Sequence, residues 1–362
     1  MKATGHSIDD KHHESIVCVV VDESLSSLDD FIASPWSSFL SELSSLGRVT
    51  FAPDALTPDD VFVAIGATKA SCRISESLPR WQTHLVVPEA ECVRPEWYRS
   101  RVRRAFGHVW APSPLLAQRL GGHSYTSPQR IPDLPAHGTD EREWRQRSRS
   151  GSLLLANKFS AINSEQYSLR RALVAQAKRQ DLPLDLIGAT WGTSFGAQSR
   201  QIAYAGFSAL RARRLPHPRG LIPISLPVTA ESGVRALGDV EDKHATLRTY
   251  RSSFVLENEL SWVTEKVVDA VVAGCIPIYV GPNLTDFGFP DGFALRVDAN
   301  PTALWEAWRH LDSLPWTEHA HLLETARGFL ASAAGQARHR NDNALANLGR
   351  AVAVATNRPT TN

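Results

Sequence analysis

The stretch from Tyr250 to Pro290, YRSSFVLENELSWVTEKVVDAVVAGCIPIYVGPNLTDFGFP, gathers polar groups at spacings that suit a phosphate-bearing ligand. Phe254 to Leu256 is a short apolar run, and Glu257, Asn258 and Glu259 follow it where a strand would end. Ser261 and Thr264 are both residue types that cap helices, and Glu265 sits where a carboxylate suits the positive end of a helix dipole. Lys266 then stands in the first turn of the expected helix, whose apolar face is Val267, Ala270, Val271 and Ala273 and whose terminator is Gly274. Ile276 to Val280 reads as the next strand, with Pro277 tolerated near its start, and Gly281-Pro282-Asn283 turns the chain at its carboxyl end. Ligands of open parallel sheets bind at the carboxyl ends of strands, and anions gather at helix amino termini. Asn258, Glu265, Lys266 and Gly281 therefore converge on one ligand.

The elements that must position these groups alternate between strand and helix along the whole chain. Ile16 to Val21 is a continuous apolar run of the kind buried on both faces in a parallel sheet. Helix is expected at Phe39 to Leu46 and strands at Val49 to Phe51, Val61 to Ile65, Leu85 to Val87 and Val109 to Ala111, with an Arg-rich helix at Trp97 to Phe106. The polar, Arg-rich segment 136–151 separates two periodic regions and is expected to be a linker. Ser152 to Ala156, the helix Tyr167 to Lys178 and Leu184 to Ile187 open a second region. Trp191 to Asp239, with RARRLPHPRG at its centre, shows no long periodic run and reads as an insertion. Its readings are a solvated loop on the one hand, and on the other a lid or a pyrophosphate contact from Arg211, Arg213 or Arg214. Later helices are expected at Lys243 to Thr249, Pro301 to Leu311, His319 to Ala334 and Asn341 to Ala355, with a strand at Ala294 to Val297. The expected fold class is α/β, with each half Rossmann-like.

A chain of 362 residues is long enough for two domains, each burying its own core. The formal net charge of +1 gives no overall field for nucleic acid or an acidic polymer. Cys18, Cys72, Cys92 and Cys275 have no metal-ligand spacing and are expected to be reduced. The first fifteen residues are polar and carry acids, unlike a signal peptide, and no apolar run reaches the roughly 20 residues of a spanning helix. A cytoplasmic protein, with peripheral contact at the inner membrane left open, is the expectation.

The ordered motifs F-x-x-E-N at 254–258, V-T-E-K at 263–266 and G-C-I-P-I-Y-x-G at 274–281 resemble the donor-binding signature of the α-1,3/1,4-fucosyltransferases of glycosyltransferase family 10, bacterial type. The resemblance is good over about 243–292, weaker over Leu153 to Gly188 and faint in the amino-terminal third. It implies a GT-B fold, two Rossmann-like domains facing a cleft. The acceptor-binding domain would be 1–135, the linker 136–151, the donor-binding domain 152–335, and 336–362 a carboxyl-terminal helix bracing the first domain, with a tail. GDP-fucose would be the donor, a glycan or glycoconjugate hydroxyl the acceptor, and inversion at the anomeric carbon the outcome.

By the same resemblance Lys266 and Arg170 would face the pyrophosphate, with Arg171 able to replace Arg170. Asn258 would close the strand end onto the phosphates, and Glu265 would contact ribose or sugar hydroxyls, although a helix-capping role leaves the same trace. Glu257 and Thr264 belong to the same donor-binding set. Trp262 stands where the family carries tyrosine, keeping a stacking face and losing a hydroxyl. Inverting transfer needs a general base. Glu89 resembles the family's acidic position, with Glu91 as the fallback. Metal-dependent transferases use Asp-x-Asp, and Asp239-Val240-Glu241 lacks that pattern, so no obligatory metal and no cofactor beyond the donor is expected. The expected partners are a nucleotide sugar and a glycan acceptor, with no nucleic acid. A transferase for another GDP- or UDP-sugar, or a nucleotide-sugar-binding protein without turnover, are the alternatives. The acceptor, the linkage and the oligomeric state are open.

Overall fold

The computed structural model describes residues 15–22, 28–53, 56–134, 140–223 and 233–357. The polar first fourteen residues, part of the expected linker, part of the expected insertion and the tail after Asn357 lie outside them. Two six-stranded sheets, all parallel, carry the chain. The first is built from β1 (Ile16–Val21), β2 (Arg48–Thr50), β3 (Val61–Ile65), β4 (Thr83–Val86), β5 (His108–Ala111) and β6 (His123–Ser124), in the order β2-β1-β3-β4-β5-β6. The second holds β7 (Gly151–Leu154), β8 (Leu184–Ile187), β9 (Val234–Gly238), β10 (Ser252–Leu256), β11 (Ile276–Val280) and β12 (Leu295–Arg296), in the order β12-β11-β10-β7-β8-β9. Read from β9, that order is the 3-2-1-4-5-6 of a dinucleotide-binding sheet. Its strand order reverses between β7 and β10, so a crevice opens where these two strands end.

Strands buried on both faces explain the continuous apolar runs: every residue of β3, β10 and β11 is buried. Helices cover the faces. Helix Asn341–Thr356 packs on helix Trp36–Leu43, and its Leu345, Leu348 and Val352 join Val17, Val19 and Phe39 in one core cluster. Helix Asn341–Thr356 thus completes the core around β1.

Four local expectations are corrected. The segment that reads as an insertion contains a 17-residue helix, Phe195–Arg211, capped by Ser194. Its buried face is Gln198, Ala205 and Ala209, whereas Phe195, Tyr204, Phe207 and Leu210 are exposed. Apolar residues therefore mark its outer side, which hides the usual periodicity. The start of helix Lys266–Val272 carries no side-chain cap, because Thr264 and Ser261 spend their hydroxyls on Glu257 and Glu259. All of Val267 to Val272 is buried, so this helix is enclosed all round rather than on one face. Gly274 takes the left-handed conformation (φ 77°) that ends it. The Arg-rich segment is also divided, into a 3-10 turn Pro95–Tyr98 and a helix Ser100–Ala105.

A chain of hydrogen bonds ties helix Asn341–Thr356 to the first sheet and fixes one tautomer. Trp110 Nε1 can only donate, and it donates to His84 Nδ1 (3.2 Å). His84 Nε2 therefore holds the proton and donates to Thr356 Oγ1 (3.0 Å), which donates to Val352 O (2.9 Å). Burial, then the neighbouring His108 and His123, hold the His84 pKa well below its ordinary 6.5. A neutral buried imidazole stabilises the fold fully above the unfolded pKa, and that contribution is lost as pH falls below it. We expect each unit of pH below 6.5 to cost about 1.4 kcal/mol through His84. The melting temperature should fall between pH 7 and 5, and less steeply in His84→Gln. A flat profile for the unsubstituted protein contradicts this account.

Candidate functional site

Glu257, at the end of β10, has no exposed surface and accepts two hydrogen bonds, from Thr264 N (3.0 Å) and Thr264 Oγ1 (2.6 Å). Thr264 Oγ1 in turn accepts from Lys266 Nζ (2.6 Å), which lies 3.7 Å from the Glu257 carboxylate. Burial pushes the Glu257 pKa up, while Lys266 and the Thr264 hydrogen bonds oppose the rise. The buried carboxylate folds the 257–264 loop back on itself and aims the lysine. Gly281 is required by the same packing: a Cβ there would stand 2.2 Å from Tyr279 Oη and 2.8 Å from Glu257 Cγ.

Arg170, on helix Tyr167–Gln180, is also buried. Its Nη2 donates to Leu256 O (3.0 Å) and Asn258 Oδ1 (2.9 Å), and its guanidinium lies 4.6 Å from the Tyr167 ring centroid. Its Nε is buried without a partner. Arg170 thus clamps Asn258 at the end of β10. Arg171 points elsewhere, holding the carbonyls of Lys158 (2.6 Å) and Gly220 (2.8 Å).

These groups meet in a cavity of about 490 Å³ between the ends of the two sheets. Arg170, Asn258, Trp262, Thr264, Glu265 and Lys266 line one side, and Glu89 and Val93 line the other. Glu89 follows β4, and its carbonyl accepts from Tyr98 Oη (2.7 Å), which holds the loop in place. Burial raises the Glu89 pKa, and Glu265 raises it further, against the lowering influence of Lys158, Lys266 and Arg94. Asp239, Lys243 and Lys158 also line the cavity. Lys243 lies 4.0 Å from Glu265. Enclosure in the cleft works to raise the Glu265 pKa, yet Lys266, Lys243 and Lys158 hold it below its ordinary value. Three lysines and one arginine thus face two glutamates and an aspartate, an arrangement with the cations to meet a diphosphate and a carboxylate able to accept a proton.

The structure separates several residues that sequence placed together. Glu91 is buried away from the cavity and ion-paired with Arg119 (3.0 Å) and Arg214, so it has no free oxygen to act as a base. Glu257 and Gly281 do not line the cavity and instead shape the wall behind it. Trp262 reaches the cavity but is only 5% exposed, its ring packed in the cluster that holds Trp97, Tyr98 and Tyr167. So little exposed surface leaves no open stacking face there. Lys158 and Lys243 were not legible as site residues, since each is a single lysine in a loop or a helix start. The signal that could have found them is position, because each follows or precedes a strand of the second sheet. Among the described residues, no three His, Cys, Asp or Glu side chains are grouped to hold a metal ion. None of their helices is long and apolar enough to cross a membrane.

No family model matches the sequence, and no curated protein matches it. Solved structures do match in fold. An alpha1,3-fucosyltransferase superposes with a TM-score of 0.53 at 12% identity, covering 97% of this chain and 92% of that one. HepE from Anabaena, in a complex with UDP-glucose, gives 0.52 at 12% identity, covering 94% of this chain and 100% of that one. An alpha-glucosyltransferase bound to UDP and a mismatched DNA gives 0.52 at 8% identity over 93% and 99%. The fold is GT-B. The two facing parallel sheets expected from the sequence are therefore present, with the cavity between them.

The geometry of Glu89 makes a testable statement about pH. We expect an acid limb in the kcat/KM profile above the ordinary glutamate value of 4.5. Lys158→Ala removes a neighbour that lowers this pKa and should move the limb up. Glu265→Gln removes one that raises it and should move the limb down. An acid limb indifferent to both substitutions would take Glu89 out of the role of base.

Proposed function

We propose that the protein is an inverting glycosyltransferase that moves a sugar, L-fucose from GDP-fucose by the signature it resembles, to a hydroxyl of a glycan or glycoconjugate. One observation carries this reading: Lys266, Arg170 and Asn258 stand across a single cavity from Glu89, with the cations at the strand-order reversal of the second sheet. Glu89 takes the proton of the acceptor hydroxyl as its oxygen bonds to the anomeric carbon. The bond from that carbon to the diphosphate breaks, and the departing electron pair stays on the phosphate oxygen. Lys266 and Lys243 meet that charge as it grows, and Arg170 adds its charge while holding Asn258 in register. Glu265 sits beside Lys266 where sugar or ribose hydroxyls need an acceptor.

The GT-B fold shared with an alpha1,3-fucosyltransferase supports the reading. A second donor class has its own support, because HepE, of the same fold, was crystallised with UDP-glucose. Calorimetry with GDP and UDP separates the two. We expect GDP to bind more tightly. A reversed preference reassigns the donor to a UDP-sugar, and the absence of binding to either removes the transferase reading.

Substitutions divide the two walls of the cavity. Lys266→Ala should weaken nucleotide binding and slow transfer together, by roughly 1.5–3 kcal/mol for a charge-assisted contact. Glu89→Gln keeps the shape but cannot accept a proton, so nucleotide affinity should persist while transfer falls by about 10²–10⁴-fold. Full transfer by Glu89→Gln would place the base elsewhere.

A further inference from the structure

A second and larger concavity, of about 870 Å³, lies on the other side of the loop that carries Glu89. Its walls come from helix Lys69–Glu76, the 3-10 turn Pro95–Tyr98 and helix Ser100–Ala105 on one side, and helix Phe195–Arg211 on the other. Nine Lys and Arg side chains line it against three acidic ones. The whole chain has a net charge of only +1, so this density of cations is a local feature and not a reflection of composition. Among the described residues, no carboxylate pairs with Arg73, Arg101, Arg211 or Arg213. The Nε atoms of Arg99 and Arg103 are buried without a hydrogen-bond partner. A solvated basic face leaves its donors to water, whereas these two Nε atoms are shielded from it, while the Nη groups of the same side chains donate to the carbonyls of Arg211 and Arg119.

Two aromatic rings complete the groove. Tyr204 and Phe207, one helical turn apart on helix Phe195–Arg211, line it and are 70% and 62% exposed. Large exposed rings beside guanidinium groups present an apolar face for a pyranose ring and forks for an anionic substituent. The helix is held against the first half of the chain by Arg214, which pairs with the buried Glu91, and by Ala209, packed in the cluster of Trp97 and Tyr98. The groove is thus a built wall and not a chance apposition. It is also joined to the reaction cavity through a single loop: Glu89 and Val93 face the cavity, while Arg94, Glu96 and Tyr98 face the groove.

We propose that this groove is the acceptor subsite and that the acceptor is an anionic oligosaccharide, its carboxylate, sulfate or phosphate groups held by the arginines and its sugar faces stacked on Tyr204 and Phe207. The proposal rests on the transferase reading for its use of the word acceptor. The volume is of the size that encloses an extended small ligand, and the arginines are spread over both walls, which suits several charges along a chain better than one isolated phosphate.

The test is direct binding by the full chain, at saturating GDP, of tetragalacturonate, a heparin-derived tetrasaccharide, glucose 1-phosphate, neutral maltotetraose and a short duplex DNA. The anionic saccharides should bind at least tenfold more tightly than maltotetraose, and their affinity should fall steeply with salt. The ranking among the three anionic probes identifies the charged group. The double variant Arg101→Glu, Arg211→Glu, which changes one exposed residue on each wall, should lose at least tenfold in that affinity while GDP affinity and melting temperature stay unchanged. Equal binding of maltotetraose, no binding of any anionic saccharide, or affinity unaffected by the double variant would overturn the proposal. Preferential binding of duplex DNA would overturn it in favour of a nucleic-acid groove. GDP binding measured in the same series is independent: its loss counts against the donor reading, not against the groove.

Discussion

The Lys266 wall of the cavity depends on a carboxylate with no exposed surface. Burying an ionised group is costly unless it is paired and hydrogen-bonded, and Glu257 meets that condition with the Thr264 amide, the Thr264 hydroxyl and the nearby Lys266 ammonium. The same bonds fold the loop after β10, leave helix Lys266–Val272 without a capping side chain, and turn Lys266 toward the cavity. A glycine at 281 is the geometric price of admitting that carboxylate. Strand end, loop, lysine and glycine are one unit, and the motif residues at 257, 264, 266 and 281 form one packing solution rather than four separate ligand contacts.

This explains which parts of the site could be read in the sequence. The strand Ile276–Val280 and the glycine that ends the preceding helix follow from apolar runs and left-handed geometry, and the structure places them as expected. The division of labour within the motif does not follow, because a buried anion that shapes a loop and a surface anion that meets a ligand leave the same letters. Glu89 and Glu91 make the point more sharply. They stand two residues apart on one loop, yet one lines the cavity and the other is enclosed between Arg119 and Arg214. Arg214 lies 123 positions away, and nothing local announces the pairing. Helix Phe195–Arg211 was hidden for a different reason. It buries alanine and glutamine and exposes phenylalanine and tyrosine, so its pattern inverts the one by which surface helices are recognised.

Electrostatics in the cleft is cooperative in a specific sense. Glu265 raises the pKa of Glu89, and Lys158 and Lys266 lower the pKa of both. Any anion that enters this arrangement adds like charge beside the two carboxylates and engages the cations that moderate them. An anion placed beside Lys158 and Lys266 would therefore act on the proton affinity of Glu89 across the cavity, without a moving part.

Glu259 gives the cleft a mechanical property. It has no exposed surface and accepts from the Cys92 amide (3.3 Å), Ser164 Oγ (3.0 Å) and Ser261 Oγ (2.7 Å), while Trp262 is packed among residues of the first half. The loop bearing Glu89 and the loop bearing Lys266 are thereby riveted at their bases. Paired domains joined by a modest polar interface move against each other by default. Here a buried carboxylate bonded from both halves lies beside the cavity, so the contact that resists such movement stands at the cleft floor, next to the loops of Glu89 and Lys266 rather than at the outer rims.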